Sequence, residues 1–110
     1  MSDKHSALEI EEFRDAGRVR VRLRGELDLA GAPALREALR RLHERQQAVL
    51  LDLDELEFID MSGLRAVLAA AADASRDGGK FAVTPGSQQV RRLIGLVELD
   101  GQLPVDGSSR

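Results

Sequence analysis

Residues 18–24 read Arg-Val-Arg-Val-Arg-Leu-Arg, an alternation of charge and hydrocarbon without exception. Successive side chains on a β-strand point to opposite faces, so a period of two demands a strand with one buried and one wet face. A helix would split these four arginines between two opposite sides, with the apolar residues likewise divided. Just upstream, Leu8-Glu9-Ile10-Glu11 also alternates, and Asp15-Ala16-Gly17 supplies a turn. Residues 8–24 are therefore expected to form a β-hairpin with one apolar and one charged face. The Arg face invites a nucleic-acid or membrane reading. The net charge of −3 favours a solvated face instead, with Glu9 and Glu11 as cross-strand counterions.

The rest of the chain changes period. Gly25-Glu26-Leu27-Asp28-Leu29-Ala30-Gly31 is a connector, and Pro33 suits the first turn of a helix. Leu35, Ala38, Leu39 and Leu42 then recur at helical spacing, opposite Arg36, Glu37, Arg40, Arg41, Glu44 and Arg45. His43 falls among those charges. Ala48-Val49-Leu50-Leu51-Asp52-Leu53 is a continuous apolar run, as in a strand covered on both faces. A strand-like stretch (Leu56, Phe58, Ile59) leads into a helix from Leu64 to about Asp77, stopped by Gly78-Gly79. Lys80–Thr84 forms the next strand and Pro85-Gly86 a turn. Ser87 is placed to cap a last helix carrying Val90, Leu93, Ile94 and Val97. Leu99, Leu103 and Val105 are expected to pack back onto the core. The order β-β-α-β-α-β-α implies a single α/β domain: a central mixed sheet of four to five strands with helices packed on it. The domain is expected over 8–105, between a flexible N-terminus (1–7) and a flexible tail (106–110).

Several function classes lose ground. The chain has no Cys, and its two His, His5 and His43, lack ligand-like spacing, so no metal site and no cofactor are expected. Nucleophile-and-base sets and Gly-rich phosphate loops are missing too, which argues against an enzyme. Three Phe, no Trp and no Tyr leave no stacking platform for single-stranded nucleic acid. No apolar run reaches the ~20 residues of a membrane span, and the first residues lack the apolar core of a signal peptide. The expectation is a cytoplasmic protein without membrane insertion.

The chemistry concentrates at Asp60-Met61-Ser62-Gly63-Leu64, an acid, a hydroxyl and a glycine where a strand gives way to a helix. Unpaired backbone N–H groups and the helix dipole favour negative charge there. Ser62 is either a first-turn hydroxyl that bonds a free N–H or a phosphate acceptor, and helix-start statistics favour the former. Asp28 and Asp60 each have two roles open: a local cap, or part of a binding surface on loops at strand ends. Met61 is expected to face a partner, since a flexible thioether adapts to a binding surface.

Three ordered segments resemble the STAS domain family, named for sulfate transporters and anti-sigma factor antagonists. They are Gly25-Glu26-Leu27-Asp28 with Ala32-Pro33-Ala34-Leu35, then Val49–Leu53 running into Phe58–Leu64, then Val90-Arg91-Arg92-Leu93 after a Pro-Gly turn. Together they span about 8–105. The resemblance implies an anti-sigma factor antagonist, which binds an anti-sigma factor, a serine-protein kinase of the histidine-kinase ATPase type, and so releases a sigma factor. It also implies a surface of Glu26, Asp28, Asp60, Met61, Ser62, Gly63 and Leu64. In the family the usual phosphoacceptor directly follows the Asp; here that residue is Met61, which cannot take phosphate, and Ser62 is the substitute at hand. The alternative within the family is a STAS subunit of an ABC-type lipid transport system, docked on its ATPase.

Overall fold

A computed structural model describes residues 8–98 and 104–105. The expected hairpin is β1 (Leu8–Asp15) and β2 (Arg18–Leu27), paired antiparallel. Its two-residue turn puts both Ala16 (φ 57°) and Gly17 (φ 86°) in the left-handed region, as a turn matching the twist of the flanking strands requires. The chain continues through α1 (Ala32–Glu44), β3 (Val49–Asp52), β4 (Leu56–Ile59), α2 (Met61–Arg76), β5 (Phe81–Val83) and α3 (Gln88–Glu98). The result is an α/β fold with a mixed five-stranded sheet. β1, β2, β3 and β5 lie side by side, and β4 also pairs with β2.

The expected order lacked β4. The length of β2 explains the extra strand. β3 pairs in parallel with Val19–Arg22 and β4 in parallel with Gly25–Leu27. The two short strands thus follow one another along a single edge of β2. The pairing offset grows from 30 residues (Val19 to Val49) to 32 (Leu27 to Ile59), so the Leu53–Glu55 turn and a register irregularity take up two residues. Parallel partners need crossovers. α1 provides the one between β2 and β3, and the connection from β3 to its partner β5 runs through β4 and α2.

The core follows the alternation. Val19, Val21, Leu23 and Leu27 of β2 join Leu35, Leu39 and Leu42 of α1 and Leu64, Val67 and Ala71 of α2 in one buried cluster. All four residues of β3 are buried, as expected for a strand covered on both faces. Ser87 Oγ accepts from the Val90 N–H at 3.4 Å and caps α3. Val105 forms a parallel bridge with Val83 and packs against the cluster. The packing expected of Leu99 and Leu103, and the loose ends expected at 1–7 and 106–110, lie outside the described residues, as does the side chain of Val97. Among the described residues no helix is long and apolar enough to cross a membrane.

The charged face of β2 is an ion-pair ladder, whose counterions are only partly those expected. Glu11 takes part, accepting from Arg24 at 3.3 Å and lying 4.0 Å from Arg22. Glu9 makes no ion pair among the described residues. Asp15, Asp52 and Glu55 also take part. Arg22 also lies 4.9 Å over the Phe13 ring, close enough for a cation–π contact. Asp52 is the centre of the ladder. Only 3% exposed, it accepts from Arg20 at 2.9 Å, from Arg22 at 3.3 Å and from the Asp54 N–H at 2.9 Å. Burial alone pushes its carboxyl up, but the Asp54 N–H and the two guanidinium groups outweigh burial and hold it below the usual carboxylate range.

A carboxyl depressed in the folded state adds stability that is complete above its unfolded pKa and lost as pH falls through its folded value. Asp52→Asn is expected to cost about 2–3 kcal/mol at pH 7, below the ~3–5 of a fully buried broken pair because Arg20 keeps Asp15. Urea unfolding at pH 7 and at stepped pH below about 4 checks both the cost and its sign. The gap between wild type and variant narrows as the pH falls.

Candidate partner-binding surface

Two adjacent parallel strands end together. β2 stops at Leu27 and β4 at its register partner Ile59, and the Asp60 N–H donates to the Leu27 carbonyl at 3.2 Å. The loops that follow, 28–31 and the Asp60 junction, therefore lie side by side, each leading into a helix. In open α/β sheets the carboxyl ends of the strands are where ligands and partners gather.

Both acids are anchored as caps. Asp28 Oδ1 accepts from the N–H groups of Ala30 and Gly31, each at 3.1 Å, and its carbonyl accepts from the Ala32 N–H at 2.9 Å. The turn starts α1, which has no side-chain cap on Gly31. Asp60 has extended backbone (φ −113°, ψ −175°) and its Oδ1 accepts from the Gly63 N–H at 2.9 Å, the geometry of a helix N-cap. Each cap engages one carboxylate oxygen, and both residues are half-buried.

Of the other sequence-predicted residues, Met61 is 50% exposed and Glu26 and Ser62 are half-buried. Ser62 sits in the first turn of α2, where Asp60 rather than Ser62 supplies the cap. Its hydroxyl makes no side-chain hydrogen bond among the described residues. Gly63 and Leu64 differ from expectation. Leu64 is 1% exposed and belongs to the core, and Gly63 is buried. A Cβ on Gly63 would lie 2.5 Å from the Leu27 carbonyl oxygen and 2.6 Å from Leu27 Cγ. Gly63 lets α2 close on the end of β2, Leu64 packs in the core, and neither presents a side chain to a partner.

Two residues were missed. Leu29 is 73% exposed and Phe58 37%; with Met61 they are the exposed large hydrophobics among the described residues. All three stand on the loops and strand end just described. Strict alternation from the buried Leu56 would bury Phe58 too. Instead the register shifts: Leu56 pairs with Gly25 and Phe58 with Glu26, so Glu57 is the extra residue of a bulge that re-aims the next side chain. Leu29 could be suspected from an apolar side chain inside a turn. The segments 26–31 and 57–62 contribute Glu26, Asp28, Glu57 and Asp60 and no cation. The arrangement is an apolar knob in an acidic frame.

Among the described residues no group of three or more His, Asp or Glu is placed to hold a metal ion. What the site offers is surface: a protruding thioether, an aromatic edge, a hydroxyl and acids at a helix start.

Two substitutions at the junction, with Gly95→Ala in α3 as the control, are tested by unfolding free energy. Gly63→Ala is expected to lose about 2–3 kcal/mol through overpacking on Leu27. Gly95→Ala, with open space around its Cβ in α3, should instead be neutral or gain up to ~1 kcal/mol. Asp60→Ala removes the cap and is expected to cost about 1 kcal/mol.

The family model described as "Mlab, STAS domain" matches residues 11–105. The chain is 32% identical over 100 residues to the anti-sigma F factor antagonist of Paenibacillus polymyxa, covering 89% of this chain and 86% of the relative. It is 25% identical over 91 residues to the anti-sigma-B factor antagonist of Bacillus subtilis (strain 168), covering 83% and 84%. The crystal structure of an anti-sigma factor antagonist from Mycobacterium paratuberculosis superposes with a TM-score of 0.80 at 25% identity, covering 98% of this chain and 92% of that one.

Proposed function

Because the chain belongs to the STAS domain family, we propose that it is an anti-sigma factor antagonist, a protein that binds an anti-sigma factor and so frees a sigma factor to act in transcription. The observation that carries this is the exposed apolar set of Leu29, Phe58 and Met61, clustered at the strand ends and framed by Glu26, Asp28, Glu57 and Asp60. A monomeric surface rarely groups large apolar side chains without a partner to cover them. Met61 is the natural anchor. It protrudes from the first turn of α2, and its thioether adapts to an apolar pocket. The anti-sigma factor we assign to it is a serine-protein kinase of the histidine-kinase ATPase type, as the family resemblance implies.

The same geometry bears on switching. Met61 cannot carry phosphate, so any phosphate switch at this junction falls to Ser62. A phosphoserine carries about −1.5 to −2 charges. At Ser62 it would stand beside Asp60 in a frame that is already acidic. The helix N-terminus would tolerate that charge, but the docked partner would have to desolvate it against like charges. Phosphate at Ser62 therefore releases the partner rather than recruiting it.

A second reading draws on the Mlab description of the matching family and on Met61 in the acceptor position. Here the same surface docks permanently on the ATPase of an ABC-type lipid transport system, with no phosphate cycle.

Met61→Asp tests the surface. It sets a charge where an apolar anchor stood, at a helix start where an acid is well tolerated, so the fold stays intact. Partner affinity should fall by about thirtyfold or more, the ~2 kcal/mol of an interface anchor. The check is affinity capture with wild-type and Met61→Asp protein from lysate of the source cells, read by mass spectrometry. A kinase or sigma regulator held by wild type and lost by the variant supports the antagonist. An ABC ATPase and permease move the protein to the transport reading. Equal capture by both proteins sinks the surface assignment. Intact mass of the recovered protein reports on phosphate at Ser62.

A further inference from the structure

Helices α1 and α2 share the core cluster, yet they leave a cleft of about 200 Å³ between them. Its origin lies in α2. Where α1 contributes Leu39 and the stems of Arg36 and Arg40, α2 contributes Ala66, Ala69, Ala70 and Ala74, side chains too short to fill the seam. Val49 and Phe81 complete an apolar floor. An apolar cavity of about 150 Å³ accepts a benzene-sized guest, so this one has room for a somewhat larger body.

The charges along the rim point one way. Arg40 is held by Glu37 and Glu44, His43 by Asp77 at 2.7 Å, and Asp73 by Arg76. Arg36 and Lys80 also line the cleft, and neither has an ion pair among the described residues. The rim thus offers two uncommitted cations and no uncommitted acid. Their positions are not equivalent. Lys80 lies at the end marked by His43 and Ala74, beside the C-terminal turns of both helices, whose carbonyls disfavour an anion. Arg36 is on the second turn of α1, away from those carbonyls, and a guanidinium can grip a carboxylate with two parallel hydrogen bonds.

We propose that the cleft between α1 and α2 binds a small organic anion with an apolar body, a medium-chain or aryl carboxylate. Its body lies over Leu39, Ala70 and Phe81 and its carboxylate on Arg36. The site is separate from the Leu29–Phe58–Met61 surface and does not depend on the partner proposed for it.

The probe is octanoate, titrated at pH 7 into the full chain labelled with nitrogen-15, with 1-octanol and acetate alongside. Octanoate is expected to give saturable amide shifts over Ala66–Ala74 and at Phe81, with a dissociation constant of about 1 mM or below. Octanol should bind at least ~10-fold more weakly for want of the charge-assisted contact, and acetate, with no body to bury, should not saturate. Arg36→Gln should weaken octanoate at least ~10-fold, the loss of one charged contact. Ala70→Leu fills the seam and should do the same. Should Ala70→Leu fail to fold, Ala69→Leu, an exposed position on the lip of the cleft, takes its place. The proposal is overturned by shifts that do not saturate or that fall outside the cleft, by octanol binding as tightly as octanoate, or by wild-type affinity in Arg36→Gln or the filled variants.

Discussion

Strand β2 is paired along both edges, and the other parts of the molecule are arranged on it. β1 runs antiparallel along one edge, and β3 and β4 follow one another along the other. Its odd-numbered residues, Val19, Val21 and Leu23, enter the core; its even-numbered arginines leave it for the ion-pair ladder. A slip of one residue would exchange these faces and bury the guanidinium groups, so the register is strongly specified. The buried Asp52 of the neighbouring strand reinforces it, because its carboxylate can meet Arg20 and Arg22 only in the observed alignment. A buried ion pair of this kind secures position more than it adds net stability.

The last residue of β2 governs the proposed binding surface. Leu27 pairs with Ile59, its carbonyl accepts from the Asp60 N–H, and its side chain and carbonyl leave no room for a Cβ at Gly63. α2 consequently starts hard against the sheet, with Met61 outermost. The loop that begins at Asp28 is closed by its own carboxylate, and Leu29 is turned outward beside it. Acids that look like surface chemistry in the sequence thus have a structural role first. They fix two loops side by side and so decide which apolar side chains protrude. Capping and recognition are compatible because each cap uses one carboxylate oxygen.

Local pattern made most of the fold legible. The alternation of residues 18–24 located β2, the spacing of Leu35, Ala38, Leu39 and Leu42 located α1, and the apolar run at Val49–Leu53 located a doubly covered strand. Ser87 and Gly78-Gly79 marked helix ends. The stretch at Leu56–Ile59 reads as strand-like but stands outside the expected element order, because it is short and the partner that makes it a separate strand lies some thirty residues earlier. The counterions of the arginine ladder were half legible. Glu11 lies across the hairpin, a local relation, whereas Asp52 and Glu55 arrive only when the parallel strand docks.

The sequence by itself determined which residues could be apolar or charged neighbours along one element, since strand and helix periods are properties of the local backbone. It also located the Asp60–Leu64 junction as the point of interest. Tertiary structure decided which members of that junction face outward. Gly63 is pressed against Leu27 at the end of β2, a contact across more than thirty positions of chain, and Leu64 enters the core, while a one-residue bulge in β4 turns Phe58 out and the turn after β2 exposes Leu29. The cleft between α1 and α2 is of the same kind. An alanine-rich helix face is visible in sequence, but the space it leaves is defined only by the helix packed opposite. Burial is a relation between segments, and a linear pattern carries only one side of it.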